Sequence, residues 1–96
     1  MPRPSSRSRE SAITRLVLYS RQYCHLCHDM LAALDEMHIR RGGEFVFEVD
    51  VLDVDADLAL EAKYNELVPV LEADGRELCH HFLDHAKVRE YLRGNP

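Results

Sequence analysis

Two cysteines separated by two residues, Cys24-His25-Leu26-Cys27, are the side chains of this sequence best placed to do chemistry. A thiolate attacks a disulfide sulfur, and a second thiol close behind it breaks the mixed disulfide that forms. The local sequence puts the pair at a particular place. Ahead of it, Leu16-Val17-Leu18-Tyr19 is a short apolar run with the length and branching of a buried strand. Behind it, Leu26, Met30, Ala33, Leu34 and Met37 recur at intervals of three and four, a helical period. A strand therefore hands over to a helix at the cysteines, with Ser20-Arg21-Gln22 as the polar turn between them. The first turn of a helix leaves backbone N–H groups without internal partners and carries partial positive charge. A thiolate at Cys24 is favoured there, and Cys27, one turn later on the same face, lies within disulfide reach. Arg21 adds positive charge nearby. His25 follows Cys24 directly, and its charged form favours the thiolate while the helix dipole opposes its protonation.

Composition sets the limits on what else the chain does. Ninety-six residues make one domain with a modest core. No apolar stretch is long enough to span a bilayer, so no membrane partner is expected. The first fifteen residues have arginines but no apolar segment behind them, which is not a secretory signal. Three cysteines in that context point to a reducing, cytoplasmic setting, where C-x-x-C is catalytic or metal-binding rather than a structural staple. Residues 1–15 hold four arginines and one glutamate, a net of +3, so residues 16–96 carry −8 of the chain's total of −5. A body that acidic is a poor partner for nucleic acid. Residues 1–12, rich in Pro, Ser and Arg, read as a disordered tail, and residues 13–94 as the folded domain.

The elements follow in order. Residues 14–19 are the first strand and residues 24 to about 40 the first helix, with Arg40-Arg41 suited to its C-terminus and Gly42-Gly43 stopping it. Residues 44–51 (EFVFEVDV) alternate as a second strand, with Phe45, Phe47, Val49 and Val51 on one face. Strand, helix and strand in about forty residues imply a parallel pair with a right-handed crossover. Asp53-Val54-Asp55-Ala56-Asp57 resembles the start of a calcium loop. Leu58 and Tyr64 stand where that loop needs Gly and Glu, so an aspartate capping a short helix, residues 58–64, is the better account. Residues 69–73 and 76–80 are strands joined at Asp74-Gly75, a strong hairpin signal. A last helix runs from about Asp84 through Tyr91, with Ala86, Val88, Tyr91 and Leu92 inward.

With Cys24-x-x-Cys27 after strand one, Val68-Pro69 before strand three and the Asp74-Gly75 hairpin, the chain resembles glutaredoxin-like members of the thioredoxin-fold superfamily over roughly residues 14–93. The resemblance implies an α/β thioredoxin-like fold of glutaredoxin type: a four-stranded mixed sheet in order 2-1-3-4 flanked by three helices. It implies a cis Val68–Pro69 bond facing the cysteines. It also implies a thiol–disulfide oxidoreductase with Cys24 as nucleophile and Cys27 as resolving thiol, Val68 and Pro69 positioning the incoming disulfide, and Arg21 and His25 tuning Cys24. The expected partners are a disulfide-containing protein or small molecule and, as electron donor, a reductase or glutathione; the expected state is a monomer. Glutaredoxins place Pro-Tyr between the cysteines, where this chain has His25-Leu26. They hold the γ-glutamyl end of glutathione with Gly-Gly and an Asp at the last helix. Asp84 stands near that place, but His80-His81 occupy the neighbourhood of the glycines. Glutathione is therefore expected to bind weakly, and no cofactor is expected.

Rival readings of the same residues are specific. Cys24-His25-Leu26-Cys27-His28 matches the C-x-x-C-H pattern of haem attachment, which follows export and so conflicts with the missing signal. Cys24, Cys27 and His28 with Cys79, His80 or His81 would make a zinc set, but the separation of Cys27 from Cys79 fits no compact zinc module. No metal is expected. The alternative class is a non-catalytic thioredoxin-fold binding module that holds a metal or an iron–sulfur cluster through the same cysteines. Cys79 reads as a small strand residue packed as a hydrophobe, and Tyr23 and Tyr64 as packing residues.

Overall fold

The computed structural model describes residues 13–94; the expected tail, residues 1–12, lies outside the described residues. The elements are β1 (Thr14–Ser20), α1 (His25–Met37), β2 (Phe47–Asp53), α2 (Leu58–Tyr64), β3 (Val70–Ala73), β4 (Arg76–His80) and α3 (His85–Gly94). The sheet has the expected order β2-β1-β3-β4. β1 is parallel to β2 and antiparallel to β3, and β3 is antiparallel to β4.

Strand alternation sorts the side chains into two cores. Leu16 and Leu18 of β1 share one face with Phe47, Leu71, Ala73 and Leu78, and against that face pack Met30, Leu34 and Met37 of α1 and Val88 and Leu92 of α3. Burial of each large aliphatic side chain contributes roughly 1.5–3 kcal/mol, which makes this cluster the main source of stability. The opposite face carries Val70 with Val54 and Tyr64, and this second cluster reaches Cys27 and Val68. A bulge between Leu71 and Glu72 shifts the β3–β4 register and leaves Leu78 between the paired Cys79 and Glu77. Both Leu78 and Cys79 thereby pack against the main core. At the hairpin, Asp74 and Gly75 both have positive φ, 56° and 78°, as the tight two-residue turn requires.

Several boundaries differ from the sequence reading; β3 starts at Val70 rather than Pro69, and the last helix runs on to Gly94 rather than ending at Tyr91. The first helix ends at Met37 rather than near residue 40. His38 leaves it to form a parallel bridge with Phe45. The N–H of Phe45 then donates to the Met37 carbonyl, and that of Ile39 to the Phe45 carbonyl, so hydrogen bonds to an outside segment replace the next helical turn. Arg40 and Arg41 consequently lie in a separate 3-10 turn, Ile39–Arg41, and not at the helix C-terminus. Gly42 closes that turn at φ 88°, and Gly43 lies so close to Met37 that a Cβ there would overlap its carbonyl. The second strand runs Phe47–Asp53, not 44–51, because it pairs in parallel with all seven residues of β1. Its Val51, on the same face as Phe47 and Val49, is 49% exposed. On α3, Val88 and Leu92 are buried, but Ala86 is exposed and Tyr91 only half-buried, so the inward stripe is narrower than expected.

Candidate active site

β1 ends at Ser20, and the next three residues turn the chain into α1. Tyr23 makes that turn at φ 60°, with its ring 96% exposed, so it is not the packing residue expected. Cys24 follows as the N-cap of α1 in extended conformation. Its Sγ accepts a hydrogen bond from the backbone N–H of Cys27 at 3.2 Å, and its carbonyl accepts from His28. One of the unpaired N–H groups of the helix start is thus aimed at sulfur, and no acidic residue stands in the first turn to offset the dipole. Cys24 and Cys27 are at disulfide distance, with Cα atoms 5.2 Å apart. They differ in access: Cys24 is half-buried, and Cys27 is 2% exposed.

The charged residues expected to tune Cys24 have other partners. Arg21 donates from Nε to both carboxylate oxygens of Asp55, at 3.1 and 3.2 Å, and from Nη1 to the Asn65 carbonyl at 3.3 Å. It ties the turn before the cysteines to the segments on either side of α2. His25, at the exposed start of α1, has Nε2 at 3.7 Å from Asp29 one turn on. Asp84 accepts from the N–H of Lys87 at 3.1 Å and caps α3. Asp57 caps α2 through the N–H groups of Ala59 and Leu60, as read from the sequence.

Opposite the cysteines, the chain re-enters the sheet through Val68–Pro69, a cis peptide bond as expected. Val68 belongs to the same buried cluster as Cys27, with Cys24 and Tyr19 packed against it. Beneath them Tyr64 stacks on Tyr19 with ring centroids 4.1 Å apart, and its hydroxyl donates to the Glu72 carboxylate. Burial, with the bonded Glu72 second, holds the Tyr64 hydroxyl protonated well above its ordinary range. Glu72 is the residue that sequence reasoning misses. The available signal is a carboxylate inside an otherwise apolar strand, which must find a donor. Cys79 lies on β4 against the main core, away from the pair's cluster, and burial pushes its thiol pKa up. A groove of about 960 Å³ runs along the other side of Cys27, between α1 and β2, with Leu31, Phe47, Val49 and Val51 in its walls.

Among the described residues, no group of three or more His, Cys, Asp and Glu is placed to hold a metal ion. No helix among them is long and apolar enough to cross a membrane.

Residues 15–93 match the model of a family described as Glutaredoxin-like domain (DUF836). No curated protein matches the chain. Among solved structures, the chain is similar to protein Ne2328 from Nitrosomonas europaea, with 39% identity, 83% of this chain and 92% of that one covered, and a TM-score of 0.73. It is also similar to protein XcR50 from X. campestris, with 38% identity over 84% of this chain and 95% of that one, and a TM-score of 0.61. A thioredoxin from Fasciola hepatica shares the fold at 20% identity, covering 96% of this chain and 91% of that one, with a TM-score of 0.52.

Proposed function

The chain belongs to the glutaredoxin-like domain family, and from that membership we propose that it is a cytoplasmic thiol–disulfide oxidoreductase. The observation that carries this reading is the pairing of a half-buried, helix-capping Cys24 with an enclosed Cys27 at disulfide distance. The reduced protein attacks with Cys24. Its thiolate forms a bond to one sulfur of the substrate disulfide, and the other sulfur leaves as a thiolate that takes up a proton. Cys27, as thiolate, then attacks Cys24 Sγ, releases the second substrate thiol, and leaves the Cys24–Cys27 disulfide. Two electrons from an external dithiol or reductase restore the pair. Enclosure of Cys27 suits it to the second step alone, since it meets only the sulfur beside it.

In this reading Val68 and Pro69 form the wall against which the substrate lies, because Val68 shares a cluster with the cysteines. Arg21 holds the turn beside Cys24 through Asp55 and Asn65, and His25 stands at the exposed helix start directly after Cys24, near Asp29. The substrate is a protein or small-molecule disulfide, the protein acts as a monomer, and no bound cofactor takes part. The test is reduction of a disulfide reporter by the intact protein, with glutathione and its reductase compared against thioredoxin reductase as electron source. Reduction supported by either system is expected. Failure with both, under conditions where the cysteines are shown to be reduced, would overturn the assignment.

A further inference from the structure

His81 stands immediately after β4 in a conformation that a side chain resists. Its φ is 66°, in the left-handed region that favours glycine. The N–H of Phe82 donates back to the His80 carbonyl at 2.7 Å, so His81 is the central residue of a strained three-residue turn. Glycines of the kind the glutaredoxin pattern carries in this neighbourhood adopt such a φ freely. A strained position kept by a histidine is a reason to ask what the side chain does there.

It makes two contacts to one loop. The backbone N–H of His81 donates to the Pro69 carbonyl at 2.8 Å. Its ring Nε2 lies 2.9 Å from the Glu66 carbonyl. A carbonyl only accepts, so Nε2 carries the hydrogen in that bond. One residue therefore holds both ends of the segment Glu66–Pro69, and the residues between those ends are Leu67 and Val68. Val68 is the part of that segment packed with Cys27 and Cys24. The imidazole of His80 packs edge-on to that of His81, with centroids 4.8 Å apart, and is itself held by Glu77 at 2.6 Å. The His81 ring thus has a second contact besides the loop, through a His80 ring that is itself anchored.

We infer that His81 is a positioning residue for disulfide recognition: its ring N–H fixes the Glu66–Pro69 loop so that the Val68 backbone presents a preformed edge to an extended polypeptide disulfide beside Cys24. Such an edge accepts a substrate as an added strand, whose main-chain groups supply the affinity. The inference rests on the disulfide-exchange reading and deepens it, by naming a polypeptide substrate and the residue that shapes its seat. His81 acts on binding and not on the reactivity of the thiol.

The test uses the full-length chain in a series in which every replacement carries a Cβ, as His81 does. His81→Phe retains an aromatic ring without a donor, and His81→Gln restores a side-chain N–H. Reduced protein is mixed, in single turnover, with a disulfide-linked dimer of an unstructured peptide, and the rate is followed against peptide concentration. His81→Phe is expected to raise the half-saturating concentration roughly three- to ten-fold, the effect of losing one neutral hydrogen bond. The maximal rate and the rate of Cys24 alkylation by iodoacetamide should be unchanged, and His81→Gln should recover most of the loss. Backbone NMR of the reduced variants gives a readout independent of turnover. His81→Phe should shift or broaden the Leu67 and Val68 amides and leave that of Cys24 in place. An unchanged half-saturating concentration with unmoved Leu67 and Val68 amides would overturn the inference, as would a parallel fall in alkylation rate. If wild-type protein reduces a small-molecule disulfide reporter but does not exchange with the peptide, the inference is overturned and the oxidoreductase reading stands; if it reduces neither, that reading fails, and unmoved Leu67 and Val68 amides in His81→Phe then overturn the positioning role as well.

Discussion

The backbone N–H of Cys27 points at the sulfur of Cys24, 3.2 Å away, and Cys24 is the residue that caps the helix carrying them both. An N–H aimed at sulfur at a helix start stabilises the thiolate relative to that of a free cysteine. In the reduced protein, Cys24 is expected to alkylate at a pH well below that needed for a free cysteine, and Cys27 to be protected. Mass spectrometry after limited iodoacetamide treatment at pH 6 to 8, as an approximate range around the ordinary thiol value, reads both. Cys24→Ser should abolish disulfide reduction. Cys27→Ser should instead accumulate a covalent adduct with the substrate. Full activity in Cys24→Ser would mean that another thiol is the nucleophile.

Glutathione is expected to be a weak ligand. It presents two carboxylates, whereas the folded body is strongly acidic, Arg21 is engaged by Asp55, and Asp84 caps a helix. Each missing contact to a charged group typically costs ~1.5–3 kcal/mol, so two such losses weaken binding by roughly two to four powers of ten. Titration of the Cys27→Ser protein, followed by backbone NMR near Cys24, Val68 and Asp84, should give a dissociation constant of about a millimolar or more. Saturation at tens of micromolar, as an order of magnitude, would restore an ordinary glutathione site.

Tyr64 gives the chain an alkaline limb of instability. Its folded pKa lies above the ordinary value of 10.0. Below that pH both folded and unfolded chains keep the phenol proton, and the bond to Glu72 contributes in full. Above it the unfolded chain releases the proton while the folded chain retains it, so stability falls as pH rises. Urea midpoints should begin to drop near pH 10.0 and continue to drop above it, and Tyr64→Phe should flatten that drop. At pH 7 the same substitution should cost about 1–3 kcal/mol, because Glu72 loses its donor. Parallel alkaline limbs in the two proteins would show that Tyr64 is not responsible.

The two glycines after α1 should respond differently to alanine. Gly42 has a left-handed φ with open space around it, so Gly42→Ala is expected to cost about 1–2 kcal/mol from the backbone alone. At Gly43 a Cβ meets the Met37 and Glu36 carbonyls, which are helix backbone and cannot swing aside. Gly43→Ala should therefore displace the Met37–Phe45 connection and cost more than Gly42→Ala. Denaturant midpoints rank the two, and equal costs would mean that the turn relaxes around the added methyl.

Much of this was legible in residue types and spacing. The strand-to-helix placement of Cys24 and Cys27, the hairpin at Asp74-Gly75, the Asp57 cap and the sheet order all follow from short-range signals or from the family pattern they compose. What escaped was set by partners distant in sequence. The helix could not be seen to stop at Met37, because the segment that stops it is Phe45, reached only after a turn. The charge of Arg21 could not be assigned, because Asp55 and Asn65 meet it only once the sheet has formed. Glu72 was hidden by its apolar strand, and its partner Tyr64 looked like core. The strain at His81 belongs to a turn that periodicity does not describe.

The outer strand has a further bearing on how this protein fails. Among the described residues β2 pairs only with β1, so its other backbone rim is open to a second chain. Glu48, Asp50 and Asp53 stand along that strand, beside the exposed Val46, Val51 and Leu52. Arg15 of β1 pairs with Glu48 at 2.8 Å and with Asp50 at 3.3 Å, so the strand carries a row of charged, paired side chains that a second copy would have to desolvate to add itself there. Replacing Glu48 and Asp50 by valine should make the protein aggregate through this strand at a temperature where its core is still folded.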